Sequence, residues 1–334
     1  MSEPASPSQR ARLYLERRGL ADAPSEAVAA DASTRLFLRV KPAPHSYVLL
    51  AEVDPESDAL RRYVGVARFL CAQGLPAPEV IDVDEDLGVA LSEDLGTATL
   101  RAALDHADPA GRLSLFTSAV QLIVRIQEAG SRLGPDCPAY HIRFDLAVWM
   151  RELHFFREHF LEGHLGLEHL PAGLEQSFAA LAQALVAEPQ VLTHRDYHID
   201  NLLVRRSGFA LVDFQDARWG PLGYDLASLL NDRDVHRFLA LAQREALVDW
   251  FARERGLDPG ALRRSYALAG LQRSLKAVGT FAYQARHRGR NHYLEFILPS
   301  LRRAARLLPK DEAFTPIAEL LQEIATPASS NFLY

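Results

Sequence analysis

The sequence predicts an α+β chain of two lobes, a small β-rich lobe followed by a large and mostly helical one. Three observations carry this reading. The chain has 334 residues, enough for two cores rather than one. Its first hundred residues mix short extended runs with helices, whereas from residue 97 onward nearly everything has helical period. One island at 190–213 interrupts those helices with three short β-like runs separated by turns.

Residues 1–8 are rich in Ser and Pro and read as a frayed end. A helix follows near 9–19, then strands near 35–41 and 46–53, a helix near 57–73, and strands near 79–83 and 87–92. The strands rest on apolar runs such as Tyr47-Val48-Leu49-Leu50 and Gly88-Val89-Ala90-Leu91, bounded by Pro, Asp and Gly. Long amphipathic stretches then cover 110–130, 145–161, 235–256, 259–286 and 291–308. The small lobe is drawn at 1–92, a hinge at 93–97, the large lobe at 98–325 and a tail at 326–334.

The formal charge is −6, and the basic residues are not gathered with interleaved aromatics, so no nucleic-acid or membrane-surface partner is expected. Two cysteines, Cys71 and Cys137, are too few for a disulfide framework and suit a reducing cytoplasm. The N-terminus lacks a secretory apolar segment, and no run of 18 apolar residues occurs without a charge. A cytoplasmic monomer or weak dimer is the expectation. His154, His159, His164 and His169 recur every five residues, about 140° around a helix, and cannot line one face as zinc ligands. Of the 37 basic residues only Lys41, Lys276 and Lys310 are lysines, which limits any mechanism that needs one.

The island carries the chemistry: His194-Arg195-Asp196-Tyr197-His198-Ile199-Asp200-Asn201, two short apolar runs, then Asp213-Phe214. If Arg206-Ser207-Gly208 is a three-residue hairpin loop, position 204 faces 210, and Asn201 comes to lie beside Asp213. A carboxylate and an amide oxygen placed together suit a hard cation such as Mg²⁺. Asp196, on the same loop, can accept a proton from an alcohol. This is the division of labour of phosphoryl transfer from a metal-bound triphosphate. An HxD triplet alone arises by chance, but HxDxxxxN followed by DF at hairpin spacing is specific. His194 reads as a hydrogen-bonding support beneath the loop, Asp200 as a turn residue, and His198 as a substrate contact or an exposed loop histidine. Only eleven residues separate Asp213 from Asp225, too few for a segment that seats a polypeptide, so a small-molecule acceptor fits better. Asp225 reads as a helix cap or a brace for the loop.

Together these residues resemble the aminoglycoside phosphotransferase/choline kinase superfamily, with its protein-kinase-like two-lobed fold, from about residue 8 to 308. Within it the chain is most similar to the bacterial anomeric sugar kinases of cell-wall recycling, which phosphorylate N-acetylmuramate and N-acetylglucosamine. The matching pieces are Asp31-Ala32-Ser33-Thr34-Arg35 with Arg39, Leu91-Ser92-Glu93-Asp94-Leu95-Gly96, the loop above, Asp213-Phe214-Gln215-Asp216, and Gly270-Leu271-Gln272-Arg273-Ser274-Leu275-Lys276. The resemblance implies that 1–92 binds ATP and that 98–325 holds the catalytic residues and the acceptor. It makes Asp196 the base, Asn201 and Asp213 the Mg²⁺ ligands, and the backbone at Glu93 and Leu95 the adenine contacts. Ser33, Arg35 and Arg39 would serve the nucleotide phosphates. His198, Gln215, Asp216, Gln272, Arg273 and Lys276 would border the sugar; an arginine would suit a lactyl carboxylate.

The small lobe departs from kinases generally. There is no GxGxxG, and the strand that usually carries the phosphate-binding lysine, Tyr47 to Glu52, has none. Arg35, Arg39 or Lys41 must then hold the α- and β-phosphates, with Arg35 the first choice. Two other readings stay open: the same fold acting on an aminoglycoside, choline or homoserine, and a nucleotide-binding pseudokinase that scaffolds a partner. The missing lysine favours the scaffold; the complete set of Asp196, Asn201 and Asp213 opposes it.

Overall fold

In the computed structural model, which describes residues 5–28, 35–206 and 208–324, helix α1 (Pro7–Arg17) starts at a capping box. Ser6 Oγ accepts the Gln9 N–H at 3.3 Å and Gln9 Oε1 accepts the Ser6 N–H at 2.7 Å. Strands β1 (Ser25–Ala27), β2 (Leu36–Val40) and β3 (Tyr47–Ala51), helix α2 (Ala59–Ala72), and strands β4 (Val80–Asp84) and β5 (Val89–Glu93) follow. Next come α3 (Leu100–His106), α4 (Pro109–Gly130), α5 (Leu146–Phe156) and α6 (Leu174–Ala187). The expected β island then resolves into β6 (Gln190–Thr193), β7 (Leu202–Arg205) and β8 (Gly208–Leu211), joined by an unforeseen β9 (Arg218–Pro221). The chain continues through α7 (Tyr224–Leu230), α8 (Leu241–Glu254), α9 (Pro259–Arg288), α10 (Ile297–Leu307) and α11 (Thr315–Ile324).

Aspartates cap the long helices. Asp108, Asp145 and Asp258 each accept a backbone N–H three residues on, at 2.7 to 2.8 Å, and proline follows two of them. Two expected helices are shorter than their apolar pattern. Val235–Arg237 and Asn291–Phe296 form 3-10 turns, and α8 and α10 begin only after them. The stretch 145–161 leaves α geometry at Phe156 and continues as a π-turn through Arg157–Glu162.

The chain forms two compact units. The first comprises Met1–Ala103, Arg132–Ile142 and Asp200–Ala217. Its antiparallel sheet has the order β1-β2-β3-β5-β4, with Leu49 opposite Leu91 and Val48 opposite Ser92. Leu49, Ala51, Val89 and Leu91 pack with Ala11, Tyr14 and Leu15 of α1. Leu50 and Ala90, of opposite parity, are also buried, and Tyr63 of α2 bonds Ser92 at 3.0 Å. Burial on both faces is why these strands read as continuous apolar runs rather than alternating ones.

The second unit comprises Leu104–Ser131, Arg143–Ile199 and Arg218–Tyr334. Its core joins Trp149, Leu153 and Phe156 of α5, Phe178 and Leu181 of α6, and Leu268, Leu271 and Leu275 of α9. Here β6 pairs with β9, Leu192 opposite Trp219, so the loop that follows β6 leaves from a fixed strand end. No helix among the described residues is long and apolar enough to cross a membrane.

Candidate active site

The loop from 194 to 201 starts in the second unit and ends in the first. At its start Tyr197 is fully buried and donates its hydroxyl to the Ala119 carbonyl at 2.7 Å, and Ile199 is buried as well. These alternate side chains pin the loop while Asp196 and His198 stay partly exposed. Asp225, in the first turn of α7, accepts the backbone N–H of His194 at 2.7 Å and of Arg195 at 3.1 Å. It is therefore the brace rather than the cap, a place that Gly223 takes. Burial pushes its carboxyl up to about 7, against the pull of those two N–H groups and of Arg273.

Asp196 lies in a positive field. Burial works against its ionisation, but Lys276, Arg195, Arg273 and His198 outweigh it and hold the carboxyl well below the usual Asp range. The three candidates on α9 are each engaged. Arg273 donates to the Arg195 carbonyl at 2.8 Å and to the Tyr224 hydroxyl at 2.7 Å. Lys276 pairs with Glu152 at 2.9 Å, and Gln272 Nε2 donates to the same carboxylate at 2.8 Å. Glu152 escaped the sequence reading. Its one signal was an acid three residues after Trp149 on a helix face that packs inward.

In the first unit the hairpin register differs by one from that expected. Arg205 pairs with Gly208 and Val204 with Phe209, not with residue 210, because two residues rather than three separate the strands. A one-residue shift alone would turn Asp213 to the opposite face. Asp213 instead lies beyond the end of β8 with φ +61°, a left-handed conformation that Asp tolerates, and its Oδ2 is 3.4 Å from Asn201 Nδ2. Gln215 donates to Asp213 Oδ1 at 2.7 Å, and Asp216 is half-buried. Asp200 is more than a turn residue: both its oxygens bind Arg101, at 2.6 and 2.8 Å, which fixes the chain beside Asn201. The oxygen donors of Asn201 and Asp213 suit a hard divalent cation, which would draw the Asn201 amide oxygen toward the carboxylate.

Segment 93–97 is docked on the hairpin. Leu95 packs with Leu203, Ala210 and Val212, Glu93 pairs with Arg205 at 2.8 Å, and the Val204 N–H donates to the Ala98 carbonyl at 2.6 Å. Arg39 forks onto Asp94 at 2.7 and 3.2 Å, and Ser46 adds a third bond at 2.6 Å. Burial works against ionisation of Asp94, but Arg39, Ser46 and the Gly96 N–H hold its carboxyl down at about 2. Arg35 pairs with Glu52 at 3.1 Å, and Lys41 with Glu26 at the exposed sheet edge at 2.9 Å. Ser33 lies outside the described residues.

The pattern of the phosphotransferase enzyme family matches residues 25–264, and the chain belongs to that family. It is 31% identical over 305 residues to an N-acetylmuramate/N-acetylglucosamine kinase of Neisseria meningitidis, covering 89% of each chain. A kinase of the same name from Pseudomonas aeruginosa is 29% identical, with 92% of this chain and 91% of that one covered. The family match and the kinase relatives show a phosphotransferase that moves a phosphoryl group onto an alcohol of a small molecule. Among solved structures, an aminoglycoside phosphotransferase in ternary complex with ADP and hygromycin B superposes with a TM-score of 0.58 at 18% identity, over 89% of this chain and 96% of that one. A choline/ethanolamine kinase family protein of Mesorhizobium loti gives 0.59 at 19% identity, over 98% and 97%. The fold is thus the kinase-like one that the sequence resembles.

Proposed function

We propose that this chain transfers the γ-phosphoryl group of ATP to the anomeric hydroxyl of N-acetylmuramate or N-acetylglucosamine, in the cytoplasm and in the service of cell-wall recycling. The observation that carries the acceptor is the similarity, along nine-tenths of the chain, to kinases bearing that name. The chemistry rests on Asp196. Held ionised by Lys276, Arg195 and Arg273, it can orient the sugar hydroxyl and take its proton as the O–P bond forms. An anomeric hydroxyl is more acidic than an ordinary alcohol, so a weakly basic carboxylate suffices to position it. Asn201 and Asp213 would hold Mg²⁺, which supplies charge neutralisation on the triphosphate. The backbone at Glu93 and Leu95 would meet the adenine. His198, Gln215 and Asp216 would border the sugar, while Arg273 orders the loop through the Arg195 carbonyl and Lys276, held with Gln272 on Glu152, supplies charge to Asp196.

The test is an acceptor panel of amino sugars, aminoglycosides, choline and homoserine with ATP and Mg²⁺, followed by NMR of the product. Phosphorus coupling at C1 of the amino sugar is the expected result. Phosphate at any other position overturns the anomeric assignment, and absence of ADP with every acceptor overturns the enzyme reading in favour of a scaffold.

A further inference from the structure

The end of β3 bears an acid where kinase-type phosphotransferases place a lysine. Glu52, immediately after β3, is 3% exposed, and its N–H donates to the Gly88 carbonyl at 3.0 Å. Its Oε2 accepts Arg35 Nε at 3.1 Å, and Arg10, itself buried on α1, donates to its main-chain carbonyl. Arg62, in the first turn of α2, lies within electrostatic range of the same carboxylate. One buried carboxylate thus faces three guanidinium groups, and the cluster keeps an excess of positive charge. Among the described residues, Glu52 Oε1 and Arg62 Nε are buried without a hydrogen-bond partner.

In kinases the strand lysine binds the α- and β-phosphates while a glutamate on the following helix pairs with it. This chain has the acid on the strand and the cation on the helix. A carboxylate cannot bind phosphate, but it can order guanidinium groups whose planar forks match phosphate oxygens in pairs. The two other cations that the sequence offers for the phosphates are committed elsewhere: Arg39 to Asp94, and Lys41 to Glu26 at the exposed edge. We infer that the strand–helix ion pair is present with its charges exchanged, Glu52 acting as a positioning residue that aims Arg62 and Arg35 at the nucleotide's α- and β-phosphates. The inference rests on the kinase reading above and adds to it the cations that replace the lysine.

The experiment measures ATP binding to the full chain by calorimetry with Mg²⁺, and KM for ATP and for N-acetylmuramate, in Arg62→Ala, Arg62→Lys and Glu52→Gln. Removing a charge-assisted phosphate contact is expected to weaken ATP binding about tenfold or more in Arg62→Ala. The sugar KM should move less than about twofold, and Arg62→Lys should recover part of the loss. Glu52→Gln should raise the ATP KM more than it lowers kcat. Should Arg62→Ala fail to fold by circular dichroism, Arg62→Gln carries the same test. A folded Arg62 variant that phosphorylates the sugar with unchanged ATP affinity overturns the inference alone. A wild-type chain that binds ATP through Arg62 yet phosphorylates no sugar overturns the acceptor reading alone, and one that binds no ATP overturns both.

Discussion

Asp225 holds the backbone N–H of Arg195 at 3.1 Å, and Arg195 has φ +80°, in the left-handed region that a non-glycine residue rarely adopts. Strain of this kind amounts to about 1–3 kcal/mol and persists where surrounding bonds enforce it. Here the enforcing bonds come from both sides, Asp225 on the N–H and Arg273 on the carbonyl. Asp225→Asn keeps one acceptor oxygen and turns an amide nitrogen toward the other N–H, at a cost of about 1–3 kcal/mol. Turnover should fall while ATP affinity is kept. The same variant has a pH signature. With its folded carboxyl near 7 and an ordinary unfolded one, Asp225 contributes stability fully present below about pH 4 and lost as pH rises through 7. Thermal melts from pH 4 to 8 should show that decline in the wild type and a flatter profile in Asp225→Asn. Equal slopes in the two proteins would refute the account.

Asp196 owes its ionised state at acid pH chiefly to Lys276, ahead of Arg195 and Arg273, against the burial that opposes it. Asp196→Asn should lower kcat about 10²- to 10⁴-fold with nucleotide binding intact. Lys276→Met withdraws the largest favourable charge, so the Asp196 carboxyl should rise, and the acid limb of kcat/KM for the sugar should move toward neutral pH. A limb that stays in place would show that Asp196 is not the group being titrated. Glu152 complicates the stability of this variant, since it pairs with Lys276 and would be left with the Gln272 amide and the more distant charge of Arg195. The double variant Lys276→Met/Glu152→Gln separates the two effects.

The closeness of Asn201 and Asp213 was legible because its information is local. HRDYHIDN lies on one stretch of chain and Asp213 follows at hairpin distance, and the left-handed conformation of Asp213 keeps the amide and the carboxylate neighbours although the register is one residue off. The caps were legible for the same reason: Asp108-Pro109 and Asp258-Pro259 advertise helix starts within two residues. Glu152 was not, because its partners stand on an element far away in sequence. A half-buried glutamate on α5 looks like any helical acid until Lys276, 124 positions later, is seen beside it. The strand β9 was missed because Arg218-Trp219-Gly220-Pro221 has neither apolar alternation nor β-branched residues. It is a strand only because β6 supplies its hydrogen bonds.

Arg39 is a nucleotide candidate by sequence and a structural fork by geometry, its side chain and that of Asp94 being 11% and 9% exposed. Removing one partner of so buried a pair leaves the other charge uncompensated, so Arg39→Ala should destabilise the chain by about 3 kcal/mol. Arg39→Lys cannot reproduce the two-pronged bond and should recover only part of this. Urea unfolding gives the comparison. If Arg39→Ala loses ATP affinity but no stability, Arg39 serves the nucleotide and the fork is incidental.

Asp213 is already bonded by two amide groups, Gln215 at 2.7 Å and Asn201 at 3.4 Å, and it is exposed at the end of the hairpin. Cation binding there has to compete with the shorter of these bonds and needs the Asn201 oxygen, not its nitrogen, to face the carboxylate. Asp213→Asn removes the charge, which for a hard cation is the larger share of the attraction. The Mg²⁺ concentration that gives half-maximal rate should rise about tenfold or more, and excess chelator should abolish turnover of the wild type without unfolding it. Gln215→Leu should shift the same midpoint the other way, since it removes the competing donor and leaves the carboxylate in place. If Gln215→Leu raises the Mg²⁺ requirement, Gln215 orients Asp213 for the cation rather than competing with it, and the order of events at this corner is reversed.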